Sequence, residues 1–134
     1  MFVETSAIVA ILADESEAGT LLAQLENART RETGAHVRLE ATINLARILG
    51  LEVTEAHDLY DGFLAAAEIA VIPITDAVAR RAVEAFATYG KGRGHPAQLN
   101  FGDCLSYACA AASGAPMLFK GRDFSETDLK AVDS

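Results

Sequence analysis

"NFGDCLSYACAAASGAPMLFKGRD" runs from Asn100 to Asp123. Asn100 to Asp103 bring the polar side chains that start a helix, small and apolar residues continue it, and Gly114 stops it. "PMLFK" then reads as a short strand, and "GRDFSETD" turns the chain. The reverse order stands at the chain's start, in "MFVETSAIVAIL": Met1 to Val3 reads as a strand, Thr5 and Ser6 as turn or cap residues, and Ala7 to Leu12 as the beginning of a helix. Strands that alternate with helices predict a three-layer α/β/α sandwich with a central parallel sheet, formed by residues 1–134 as one domain. In such sheets ligands gather beyond the carboxyl ends of the strands.

Between these two stretches the pattern holds. Asp14, Glu15 and Ser16 place acids and a cap ahead of a helix bearing Leu21, Leu22 and Leu25. From about Val37 to Leu49 another helix carries Leu39, Ile43, Leu45, Ile48 and Leu49 around much of its circumference, which predicts that it is mostly buried, and Gly50 ends it. Thr54 is a candidate cap for a fourth helix with Leu59, Phe63 and Leu64. "AVIPI", Ala70 to Ile74, reads as a strand despite Pro73. Thr75 or Asp76 caps a fifth helix that ends near Tyr89, and "GKGRGHP" from Gly90 to Pro96 is a glycine-rich basic loop. Three strands are thus predicted.

With 134 residues, 51% hydrophobic and 22% charged, the chain can bury a sizeable core. No stretch reaches the roughly 18 apolar residues of a membrane span, and the first apolar run lacks a basic leader, so a soluble cytoplasmic protein is expected. Cys104 and Cys109 fall five apart in one helix. That spacing keeps their Cα atoms beyond the ~7 Å a disulfide tolerates, so both are expected reduced and buried. No pairing of Cys with His has zinc spacing. A net charge of -8 argues against a non-specific grip on a nucleic-acid backbone. It leaves room for approach to phosphates through divalent cations and a local basic patch, and for a basic protein partner.

Four acids stand apart from the rest. Glu4 follows the first strand and Asp123 follows "MLF", so both project from the same edge of a parallel sheet. Asp103 opens a helix, where capping and the helix dipole alone would favour it. Asp123 also suits an ordinary turn, and Asp128 after Thr127 suits solvent. Glu40, flanked by Leu39 and Ala41 on an apolar helix, needs a partner, for which Arg38 and Arg47 are candidates. Two carboxylates about 5 Å apart repel by roughly 3 kcal/mol at an effective dielectric near 20, so a cluster of them calls for a cation. Mg²⁺ and Mn²⁺, which take hard oxygen ligands and keep several waters, suit acids that handle phosphate esters.

The runs "MFVETSAIVAIL", "RLEATINLAR", "YGKGRGHPAQLNFGDCLSYA" and "GAPMLFKGRDFSETDL" cover nearly the whole length. In these runs the chain resembles the PIN-domain ribonuclease toxins of the VapC type from type II toxin–antitoxin pairs. The resemblance implies a Mg²⁺-dependent endoribonuclease, with Mn²⁺ as a substitute, whose acidic quartet is Glu4, Glu40, Asp103 and Asp123. Ser6 matches a small polar residue that shapes such sites, and Asp128 is an outer acid that competes with Asp123 for the place nearest the metal. The resemblance further implies a homodimer and a cognate VapB-type antitoxin that covers the site. Lys91 and Arg93, with Lys120 and Arg122, are candidates to steer the RNA backbone. His95, in the same loop, is not needed as a base if a metal activates water.

Position 4 departs from the family pattern, which carries Asp there; the extra methylene of Glu4 shifts the carboxylate by more than ~1 Å. An alternative follows in which the chain binds its antitoxin or RNA without cleaving. A third reading, a phosphatase or phospho-acceptor domain on the same kind of sheet, lacks a second acid beside Glu4 and leaves Glu40 unexplained.

Overall fold

The computed structural model describes residues 1–132. Its sheet contains β1 (Phe2–Val3), β2 (Glu32–Gly34), β3 (Ala70–Ile72) and β4 (Met117–Leu118), all parallel, in the order β3-β2-β1-β4. Around it stand α1 (Thr5–Leu12), α2 (Ala18–Glu26), α3 (Val37–Leu49), α4 (Val53–Ala66), α5 (Asp76–Tyr89) and α6 (Phe101–Ser113), and a 3-10 turn (Asp123–Glu126) follows β4. The α/β/α sandwich is as expected. The steps from β1 to β2 to β3 run one way across the sheet and the return to β4 runs the other. Right-handed crossovers therefore put α1 to α4 on one face and α5 and α6 on the other. The direction reverses between β1 and β4, and a crevice opens at their carboxyl ends.

The sheet has one more strand than the three predicted. β2 carries Glu32, Thr33 and Gly34, of which only Thr33 favours a strand. Its place is fixed by partners on both sides: Phe2 pairs with Glu32, and Thr33 with Val71. The buried Thr33 hydroxyl donates to the Val3 carbonyl at 2.7 Å, which satisfies a polar side chain inside the sheet. β1 and β4 are in register through Phe2–Met117 and Val3–Leu118. All four of those side chains lie in the core.

Helix ends follow local chemistry, with corrections to the expected caps. Thr5 and Ser6 lie inside α1, whose N-cap is Glu4. α2 begins after Glu17 rather than at a Ser16 cap. α4 begins after Glu52, whose N–H donates to the Glu55 carboxylate at 3.0 Å, so Thr54 is not the cap. Thr75, not Asp76, caps α5 by accepting from the Val78 N–H. Gly50 and Gly114 end α3 and α6 in the left-handed region, as the sequence predicts. Cys104 and Cys109 are both free and buried.

The prediction for α3 fails in an instructive way. Of the five leucines and isoleucines of α3 only Leu45 is buried, with Val37 beside it in the core; Leu39 is 66% exposed, Ile43 54%, and Ile48 and Leu49 also face out. Replacing Leu45 by alanine is expected to cost about 2–5 kcal/mol of unfolding free energy, read from urea denaturation, because it leaves a cavity among close-packed neighbours. A loss below about 1 kcal/mol would contradict the packing described. Among the described residues no helix is long and apolar enough to cross a membrane.

Candidate active site

The crevice beyond β1 and β4 holds a cleft of about 340 Å³ whose lining includes Glu4, Glu40 and Asp103. Glu4 leaves β1 and turns the chain into α1. Its Oε2 accepts the Ser6 N–H at 2.8 Å and also the Ser6 hydroxyl. The Ser6 oxygen in turn accepts the Lys120 N–H at 2.8 Å, so a residue of α1 ties down the exit from β4. Glu4 is only 3% exposed. Burial pushes its carboxyl from 4.5 up to about 7, against the pull of the Ser6 bonds, and repulsion from Asp103 and Glu40 adds to the rise.

Asp103 enters from α6, where it closes a capping box. Its carboxylate accepts the Asn100 N–H at 3.1 Å while Asn100 Oδ1 accepts the Asp103 N–H at 2.9 Å. Burial, joined by the charges of Glu40 and Asp123, raises its pKa from 3.8 to about 6 against the pull of the Asn100 bond. Glu40, in the first turn of α3, accepts the hydroxyl of the buried Thr5. Neither arginine considered for Glu40 serves it: Arg38 pairs with Asp61 and contacts His57, and Arg47 donates to Asn44 at 3.2 Å.

Asp123 opens the 3-10 turn after β4, exposed, and close enough to Asp103 to act on its charge. Asp128 instead accepts the Tyr107 hydroxyl, which, with burial, pushes the phenol's pKa well up. Asp128 is exposed, as expected, and has this partner as well. Lys120 lines the cleft, but its ammonium is held by Glu15 at 2.8 Å and Glu17 at 3.2 Å. Lys91, Arg93 and Arg122 are exposed and make no ion pair among the described residues. The His95 ring is engaged in its own loop, accepting the Ala97 N–H and packing edge-on against Tyr89.

Thr5 and Asn44 are functional candidates that the sequence does not single out, and Arg47 is one that it offers only as a partner for Glu40. The sequence presents Thr5 as a turn or cap residue; in the structure it is the partner of Glu40. Asn44 and Arg47 line the cleft beside Glu40. Their spacing of four and seven residues from Glu40 on one helix was the signal available.

The donor set is all oxygen: buried or half-buried carboxylates, with amide and hydroxyl oxygens around them. Among the described residues no three carboxylate, imidazole or thiolate groups already close into a cage. Glu4, Glu40 and Asp103 are each held instead by a local donor, as expected where like charges repel. Carboxylates with raised pKa values on one cleft fit a hard divalent cation, which would lower the cost of ionising them.

The PIN domain family pattern matches residues 1–130. VapC ribonuclease Mb0625 of Mycobacterium bovis is 44% identical over 134 residues, covering 99% of this chain and 98% of the relative. The chain belongs to the PIN-domain family, in its VapC branch. Ribonuclease VapC28 of Mycobacterium tuberculosis matches with the same identity and coverage, and ribonuclease VapC42 of the same species is 40% identical over 130 residues, covering 97% of each chain. Among solved structures, Mycobacterium tuberculosis VapC20, a Sarcin-Ricin loop cleaving toxin, superposes with a TM-score of 0.80 at 22% identity, covering 99% of this chain and 98% of that one. A toxin–antitoxin complex from Klebsiella pneumoniae gives 0.65 at 17% identity, over 92% and 89%. These two likenesses bear on the fold alone, and the VapC-type fold is the one described above.

Proposed function

We propose that this VapC-type protein is a metal-dependent endoribonuclease and the toxin of a toxin–antitoxin pair. The observation that carries the reading is the convergence of Glu4, Glu40 and Asp103 on one cleft, with Asp123 acting on Asp103 from β4's end. The ribonuclease names of full-length relatives support catalysis over the binding-module alternative. Glu4 is held by Ser6 at the end of β1 despite its extra methylene, which supports a working place for it.

Glu4, Asp103 and Glu40 would hold Mg²⁺ or Mn²⁺, with Asp123 as the fourth acid in preference to Asp128, whose carboxylate is engaged by Tyr107. The ion would supply charge stabilisation for the phosphodiester and activate water. The chain's own residues do the orienting. Ser6 fixes Glu4, Thr5 fixes Glu40, and Asn100 fixes Asp103. Arg47, on the cleft wall, is placed to meet a backbone phosphate, and Lys91, Arg93 and Arg122 to steer the strand. Lys120 serves mainly to neutralise Glu15 and Glu17 at the rim. Metal-dependent cutting of host RNA that chelator abolishes tests this reading.

The partners proposed are RNA, a VapB-type antitoxin of basic character, and a second copy of the chain. An apolar belt supports the last. Leu39 and Ile43 of α3 share a cleft with Phe101 and Leu105, and those two share another with Val83 and Phe86 of α5. Phe101 is 84% exposed and Val83 70%, a continuous patch of the kind that marks an interface. Val83→Asp is expected to convert the dimer to a monomer in light scattering after gel filtration. A wild-type protein that is monomeric at every concentration would rule out the dimer.

A further inference from the structure

We propose that Gly102 is a positioning residue: the space left by its absent side chain is the slot that holds the Glu40 carboxylate over the cleft. The proposal rests on the reading of Glu40 as a metal ligand. A Cβ on Gly102 would lie 2.1 Å from Glu40 Oε2 and 2.9 Å from its Cδ. The other oxygen, Oε1, accepts the Thr5 hydroxyl. The carboxylate is therefore pinned on one side by α1 and on the other by the bare backbone of α6.

Nothing else at this position asks for glycine. Gly102 lies in the first turn of α6, outside the left-handed region, where alanine is the better helix former. The atoms a methyl group would strike belong to the far end of a flexible, half-buried side chain. Such a methyl would turn Glu40 out of the slot and leave the helices in place. Asp103, the next residue, would keep its cap with Asn100. Stability and metal affinity should thus respond in different ways to one substitution.

The test compares full-length wild type, Gly102→Ala, Glu40→Asp and the double variant by calorimetric titration with Mn²⁺ and by thermal melts in chelator. Gly102→Ala is expected to melt without metal at or above the wild-type temperature and to bind Mn²⁺ about 10–100-fold more weakly. The double variant, with a carboxylate one methylene shorter, is expected to regain affinity relative to Gly102→Ala. Unchanged Mn²⁺ affinity in Gly102→Ala overturns the proposal. So does a lowered metal-free melting temperature with no rescue in the double variant, which would assign Gly102 to packing. A wild type that takes up no Mn²⁺ overturns the metal reading itself, an outcome visible before any variant is compared.

Discussion

Asp103→Asn is expected to lower metal-dependent RNA cleavage by about 10²–10³-fold, the scale on which one preorganised electrostatic contact to the reacting group is worth. The same substitution should leave the metal-free protein at least as stable at pH 8. The physical reason is that Asp103 is ionised there at a cost: its pKa is raised to about 6 by burial and by the charges of Glu40 and Asp123. Asparagine removes the charge and still offers an oxygen to the Asn100 N–H. Incubation with total host RNA in Mg²⁺, in Mn²⁺ and in chelator, with mapping of new ends, measures the first effect, and thermal melts measure the second. Undiminished cleavage by the variant would remove Asp103 from the site. A wild type that cuts under none of these conditions would favour the binding-module reading and direct attention to Glu4→Asp.

The second large effect is a stability that declines with pH when metal is withheld. Glu4 has a carboxyl pKa of about 7 in the folded chain against 4.5 as a reference, so the folded state holds its proton more tightly. The stability associated with that proton is fully present below about pH 4.5 and is lost as pH rises through about 7. A shift of this size corresponds to about 3 kcal/mol, or roughly 10 °C in melting temperature for a chain of this length. Asp103 acts in the same direction over a window from 3.8 to about 6. Melting in chelator should therefore fall between pH 5 and 8, Glu4→Gln should flatten much of the fall, and Mg²⁺ should restore most at the alkaline end. A flat metal-free profile would show that Glu4 is not buried in the way described.

What the sequence disclosed and what it withheld divide along physical lines. β1, β3 and β4 were legible because β-branched or apolar runs stood between turn residues. β2 was not, since of its three residues only Thr33 favours a strand, and Glu32 and Gly34 owe theirs to pairing with β1 and β3. Periodicity assigns the apolar residues of α3 to the core because it separates wet from dry faces poorly when two faces are apolar. Leu45 meets the core and Leu39 and Ile43 meet the surface. Within the site, the acids could be proposed because strand ends and helix starts have fixed places in a parallel sheet. Thr5 and Gly102 could not, because one acts on a carboxylate 35 positions away and the other through an atom it does not have.

The bond from the Lys120 N–H to Ser6 spans 114 residues of chain. Glu4 and Asp103 are separated by most of the domain's length, and the β4 that pairs with β1 follows both. No half-made polypeptide can contain this cleft. The cleft and the finished sheet therefore form together, and a domain folded only in part presents isolated acids rather than a site.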